Sequence, residues 1–235
     1  MVSKKIESLC RKAILEHGML DNGGKIAVAL SGGKDSMTLL YMLCHLSSRG
    51  FPPLEIHAIH VNGIFSCGPS LSKKHLMEHC QKLGVSLHIC ESNKTLNELE
   101  CYSCSRIRRK LLFEKAKELG IKCIAFGHHR DDEVQTLLMN LLHKAEFAAL
   151  QAKIDMHDYG VQIIRPLIYV SEDQIRSFAK EKGFARISCR CPVGQNSMRQ
   201  KVKDLIVEME SLFENTKGNL AKAARIYGSK KALLK

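Results

Sequence analysis

The chain has 235 residues, 45% of them hydrophobic and 26% charged, which suits a soluble fold with a sizeable core and excludes a disordered chain. Its 36 Lys and Arg against 24 Asp and Glu give a net charge of +12, which favours polyanionic partners, nucleic acid ahead of anionic membrane. No apolar run approaches the ~20 residues needed to span a bilayer, and Met1 to Arg11 holds no apolar signal core, so the expected location is cytoplasmic, with no membrane partner.

Residues 4–18 read as an amphipathic helix, and Asp21-Asn22-Gly23-Gly24 as the turn into a first strand, Lys25–Ala29. A glycine-rich loop and a helix from Met37 to about Leu46 follow. Ile56–Val61 reads as the second strand, Leu71–Leu83 as a helix, and Val85–Ile89 as the third strand, with alternate apolar positions. A helix from about Ser105 to Leu119 precedes a fourth strand, Cys123–Phe126. From Asp132 onward, Val134, Leu137, Leu138, Leu141 and Leu142 mark the buried face of another helix. Val161–Ile164 reads as the fifth strand. Ser171-Glu172-Asp173 then opens a helix reaching about Lys182, and residues 200–235 read as lysine-rich helices.

Strands alternating with helices imply right-handed crossovers, so the expected fold is α/β: a parallel five-stranded sheet with helices on both faces plus a helical C-terminal extension. The expected division is a domain at 1–200, with its N-terminal helix and cysteine cluster, and a basic extension at 201–235. In such a sheet the ligand sits beyond the carboxyl ends of the strands. Three ends then converge on one crevice: Ser31–Ser36, Val61-Asn62-Gly63, and Gly127-His128-His129.

Leu30-Ser31-Gly32-Gly33-Lys34-Asp35-Ser36 carries the first chemistry. Its glycines permit a close backbone approach, and the N–H groups opening the next helix have no intrahelical partner, so a polyphosphate fits. A plain glycine turn with Asp35 as cap would account for two glycines, but leaves the serines and Lys34 without a use. The stretch has neither the spacing of a Walker P-loop nor that of a dinucleotide fingerprint. In Gly127-His-His-Arg-Asp131-Asp132-Glu133, carboxylates suit a first helical turn in any case. Beyond a strand end, however, Asp131 or Asp132 can hold Mg²⁺ between phosphates, and His128 can contact phosphate.

Ten cysteines without a secretion signal argue for reduced thiols. Cys44, Cys80 and Cys123 lie in apolar patterns and read as core. Cys101-Tyr-Ser-Cys104 stands immediately before a helix bearing Arg106, Arg108 and Arg109, whose charges favour the thiolates that a metal requires. A redox pair, or chance in a cysteine-rich chain, accounts for that spacing equally well, and zinc is a further option whose second half Cys189-Arg-Cys191 does not match in the usual way.

The glycine loop resembles the SGGxDS loop of the PP-loop ATP pyrophosphatases, a HUP-like Rossmann-type group whose members split ATP between the α- and β-phosphates and adenylate a carbonyl-type oxygen. SGGKDS, then C-x-x-C-S-R-I-R-R, then G-H-H-R-D-D-E-V-Q-T, then R-P-L, then a late cysteine before N-x-x-R-Q, occur in that order. Over roughly residues 20–205 the chain is similar to the tRNA 2-thiocytidine synthetases, among the iron–sulfur tRNA thiolation enzymes. That resemblance implies ATP, Mg²⁺ and a [4Fe–4S] cluster on Cys101, Cys104 and Cys191, with Cys189 as the alternative third ligand because the chain reads Cys189-Arg-Cys191-Pro where the family has C-x-x-C-G. It implies nucleotide contacts from Leu30, Ser31, Gly32, Gly33, Lys34, Asp35, Ser36, His60, Val61, Gly127 and His128. The catalytic set it implies is Lys34, Asp35, Arg108, His128, Asp131 and Asp132. The implied activity is adenylation of a cytidine C2 carbonyl in a tRNA anticodon loop and replacement of its oxygen by sulfur. The partners are tRNA and a sulfur donor, either a persulfide-bearing cysteine desulfurase or sulfide, with a homodimer as an open option. A lysidine synthetase-like ligase, which needs no cysteines, and a non-catalytic ATP- or zinc-binding RNA module are the competing readings.

Overall fold

The computed structural model describes residues 2–21, 24–47, 49–62, 73–92, 101–184 and 198–228, with the side chains of 101–104 outside the description. The elements in chain order are α1 (Val2–Glu16), β1 (Lys25–Ala29), α2 (Lys34–Leu46), β2 (Glu55–Asn62), α3 (Lys73–Lys82), β3 (Ser86–Glu91), α4 (Cys101–Glu118), β4 (Cys123–Ala125), α5 (Arg130–Lys144), β5 (Lys153–Met156), β6 (Val161–Ile164), α6 (Glu172–Glu181), α7 (Met198–Leu212) and α8 (Thr216–Tyr227).

The strands form one sheet in the order β3-β2-β1-β4-β6-β5. Every neighbouring pair is parallel except β5 with β6, which is antiparallel. The sheet is therefore mixed and six-stranded, not the parallel five-stranded sheet expected. The extra strand, Lys153-Ile-Asp-Met156, is four residues long, half charged and on the edge, so it carries no apolar run. It returns into β6 through a 3₁₀ turn at His157–Tyr159 and Gly160, whose φ of +62° favours glycine.

Alternate residues of the strands feed two cores. Ile26, Val28, Ala58, Cys123, Ala125 and Ile164 face one layer, with side chains from α1, α2, α3 and α6. Ala27, Ile59, Val61, Ile124, Val161 and Ile163 face the other, against Leu112, Phe113 and Ala116 of α4. A smaller cluster joins Val134 and Leu138 of α5 to Val202 and Ile206 of α7 and Ala221 of α8. Among the described residues, no helix is long and apolar enough to cross a membrane.

The chain runs from β1 outward to β2 and β3, then returns to the opposite side of β1 as β4. That reversal between β1 and β4 is where an open α/β sheet leaves a crevice beyond its carboxyl ends. The loops into α2 and α5 both open there.

Candidate active site

The loop after β1 is tied into a tight ring by its own hydroxyls. The Ser31 N–H donates to Ser36 Oγ at 3.2 Å, Ser36 Oγ donates to the Gly33 carbonyl at 3.1 Å, and the Gly33 N–H donates to Ser31 Oγ at 3.3 Å. Gly32 has φ +84°, a conformation that other residues reach only with strain. Gly33 starts α2 with no side-chain cap, so the first N–H groups of the helix are left for an anionic ligand. The ring leaves the main chain of this turn as the natural cradle for phosphate oxygens.

The loop after β4 presses against that turn. A Cβ on Gly127 would sit 2.9 Å from the carbonyl carbon of Asp35 and 3.0 Å from the Ser36 nitrogen, so only glycine lets the two loops meet. His60, from the end of β2, is buried and its Nδ1–H donates to the Leu30 carbonyl at 2.7 Å. Burial, with Arg108 of α4 nearby, holds this imidazole below its ordinary pKa. Val61 packs into the core beneath α4, so what it offers the crevice is main chain. The strand ends expected at one crevice are brought together as far as Asn62, Gly63 lying outside the described residues.

Lys34 reaches Asp35 at 2.8 Å and Glu172 at 3.2 Å. Burial works against its charge, but these two carboxylates prevail and its pKa is raised. Glu172 is the residue that sequence reasoning missed. It opens α6, and its Oε1 also takes Arg176 at 3.0 Å while Oε2 faces Lys203 at 4.0 Å. Burial opposes its ionisation, yet Lys34, Arg176 and Lys203 bring its pKa down to about 2. The local signal was a carboxylate directly after the cap in Ser171-Glu-Asp-Gln174, where Ser171 Oγ accepts from the Gln174 N–H at 3.3 Å.

At the start of α5, Asp132 Oδ2 accepts from the His129 N–H at 3.1 Å and lies 3.4 Å from His129 Nε2. Asp35 Oδ1 stands 3.7 Å from the same nitrogen, so two carboxylates share one buried imidazole. Burial opposes the Asp132 charge, but His129, His128 and Arg199 outweigh it and lower its pKa. His129 Nδ1 is buried with no hydrogen-bond partner. Among the described residues no group of three or more metal-ligating side chains is preassembled. Asp35 and Asp132 suit Mg²⁺ in the way it is usually held, by one or two carboxylates plus substrate phosphates and water. Asp131 is engaged otherwise: Oδ2 accepts the Glu172 N–H at 3.0 Å, and Oδ1 pairs with Lys217 of α8 at 3.4 Å.

Arg165, the buried arginine of R-P-L, donates from Nε to His128 Nδ1 at 3.1 Å and from its guanidinium to the Gln151 carbonyl. Accepting at Nδ1 leaves the His128 proton on Nε2. Burial and the Arg165 charge push His128 down to about 3, so it is neutral at physiological pH and serves as a hydrogen-bond donor. Arg165 is itself lowered to about 10 by burial and by Arg109. Both Arg108 and Arg109 of α4 therefore stand near groups lining the crevice.

Helix α4 begins at Cys101, about one turn earlier than the expected start near Ser105, so Cys101 and Cys104 fall within its first turn instead of before it. Their side chains, like the cluster ligation expected of them, lie outside the described residues. Cys189 and Cys191 lie outside the described residues. Cys10, Cys44, Cys80, Cys90 and Cys123 are free thiols. Burial raises them all, with Cys44 and Cys80 at about 11 and Cys123 at about 12, which marks them as unreactive.

The PP-loop domain family matches residues 2–206. A tRNA-cytidine(32) 2-sulfurtransferase of Pseudomonas putida is 35% identical over 218 residues, covering 89% of this chain and 78% of that protein. The chain belongs to this family of PP-loop proteins. Another tRNA-cytidine(32) 2-sulfurtransferase, from Xylella fastidiosa, is 34% identical over 241 residues, covering 97% of this chain and 77% of its own length. In three dimensions the chain is similar to the U34-tRNA thiolase NcsA from Methanococcus maripaludis with its [4Fe-4S] cluster, at 25% identity and a TM-score of 0.79, over 96% of this chain and 79% of that one. In this PP-loop setting the glycine ring, Lys34 and the paired carboxylates acquire a common purpose.

Proposed function

We propose that the protein is an ATP-dependent tRNA sulfurtransferase that converts a cytidine of the anticodon loop to 2-thiocytidine. The observation that carries this reading is the junction of two half-sites. An open α2 N-terminus with Lys34 meets the carboxylates of α5, and the C-x-x-C of α4 runs into Arg108 and Arg109 beside the same crevice. Family membership over most of the chain supports it.

In this reading the main chain of Leu30–Ser36 and Lys34 hold the ATP phosphates, and Asp35 and Asp132 would hold Mg²⁺. The C2 carbonyl oxygen of the base attacks the α-phosphorus, the α–β P–O bond breaks, and pyrophosphate leaves. His128 donates from Nε2 to an α-phosphate oxygen while Arg165 fixes its tautomer, and Lys34 stabilises the charge that develops on the leaving group. A hydrosulfide-level nucleophile then adds at C2, and AMP departs with the original oxygen. A [4Fe–4S] cluster, which Cys101, Cys104 and Cys191 would hold, would present sulfide-level sulfur to that carbon; sulfide supplies it directly, and a desulfurase persulfide would do so only with a two-electron reductant that releases its outer sulfur as sulfide. Arg108 steadies the phosphate charge, and the basic residues of 201–235 hold the tRNA backbone.

The test is nucleoside mass analysis of tRNA incubated anaerobically with the reconstituted protein, Mg·ATP, sulfide and lysine. The expected product is 2-thiocytidine. Lysidine, or tRNA unchanged while pyrophosphate is never released, would overturn the reading.

A further inference from the structure

The glycine loop accounts for one wall of the crevice, and α7 stands on the other. Arg199 and Lys203 are one helical turn apart on α7, on the same face. Arg199 reaches Asp132 at 3.9 Å, and Lys203 reaches Glu172 at 4.0 Å. Asp132 is one of the two carboxylates suited to the cation, and Glu172 is one of the two that hold Lys34. Glu172 is shared by Lys34, Arg176 and Lys203, so one carboxylate faces three cations. Such a surplus of positive charge around a single carboxylate is a place for a further anion.

The α7 contacts are long, and both side chains are substantially exposed, 52% for Arg199 and 42% for Lys203. Pairs of that kind contribute little to stability, so either cation can turn to a better anion at small cost. A polyphosphate in the Gly32–Ser36 cradle would present one. We infer that Arg199 and Lys203 form a second cationic wall of the nucleotide site, binding the β- and γ-phosphates opposite Lys34. On binding, Lys203 gives up Glu172 and Arg199 gives up Asp132, which releases the Asp132 carboxylate to the metal ion. The same residues then bind the pyrophosphate product and leave AMP untouched. This inference rests on the function proposed above for its nucleotide, and α-phosphate chemistry predicts the same discrimination between ATP and AMP.

The experiment is calorimetric titration of the full chain with Mg·ATP, pyrophosphate, AMP and tRNA, for wild type, Arg199→Met, Lys203→Met and Arg199→Lys. Each methionine variant should weaken Mg·ATP and pyrophosphate by about tenfold and leave AMP within about twofold, as charge-assisted phosphate contacts require. Arg199→Lys should recover part of the loss, which a merely structural role would not show. Unchanged Mg·ATP affinity in both methionine variants would overturn the inference, as would equal weakening of ATP and AMP. Loss of tRNA affinity alone, with Mg·ATP binding intact, would reassign the two residues to the RNA and also overturn it. A wild type that binds no Mg·ATP would remove the proposed function and this inference together, an outcome distinct from the others.

Discussion

Helices α2 and α5 begin side by side at the same end of the sheet, each fed by a central strand, and their first turns are built to opposite purposes. Gly33 leaves α2 uncapped, with Lys34 alongside. The start of α5 instead carries Asp131, Asp132 and Glu133, with Asp132 turned back onto the His129 N–H. Both turns have the same unsatisfied N–H groups and the same positive end of a dipole. One leaves them for the phosphates of a ligand; the other supplies its own carboxylates, which can then hold a cation. In the function proposed above, a strand–loop–helix unit used twice would give the anion half of a Mg·ATP site from α2 and its cation half from α5, with Asp35 of α2 completing the latter.

Removing one charge from each turn gives the largest expected effects. Lys34→Met and Asp132→Asn should each lower tRNA-dependent pyrophosphate release by about 10²–10³-fold, the scale of a lost transition-state contact. The pair divides in how it responds to the metal. Added Mg²⁺ should recover part of the Asp132→Asn loss and none of the Lys34→Met loss. If both respond alike, the two turns are not opposite in role.

Glu133 sharpens the contrast from the rear of α5. It is buried with Oε2 unpartnered, near Arg225 at 3.9 Å, and burial raises it to about 7 despite Arg225 and Arg130. Because the folded state holds this proton more tightly than the unfolded chain, the stabilisation is complete below about pH 4.5 and is lost as pH rises toward 7. Denaturant unfolding of Glu133→Gln across pH 5–8 should lack that decline, worth roughly 3 kcal/mol at most. Parallel pH curves for variant and wild type would show that Glu133 ionises freely.

Gly127→Ala tests the contact between the two turns. Its Cβ would meet Asp35 main chain at 2.9 Å, so the loops must part, with a loss of about 2 kcal/mol of stability. ATP affinity should fall with it, whereas an alanine tolerated without a change in melting temperature would place the loops further apart than described.

Legibility followed sequence distance. The glycine loop is a local backbone device, and its residues had to lie in one unbroken turn, so Ser31–Ser36 could be read directly. The strands with apolar runs were equally plain. β5 was not, because a four-residue edge strand containing Lys153 and Asp155 carries no pattern that a loop would lack. Glu172 meets Lys34 only once α6 packs beside α2, and nothing near either residue announces the other. Arg165 of R-P-L takes its task from His128, which accepts from its Nε across 37 residues of chain. Asp131 and Asp132 read alike as adjacent carboxylates, but a helix turns successive side chains about 100° apart. One therefore faces Lys217 and the α6 main chain, the other His129.

The central claim is that one crevice joins two chemistries carried by separable residues. Cys101→Ala, prepared anaerobically and given tRNA, Mg·ATP and sulfide, tests it in a single assay of pyrophosphate and nucleosides. The account predicts tRNA-dependent pyrophosphate release with no thiocytidine formed. Thiocytidine at the wild-type level in that variant would contradict it.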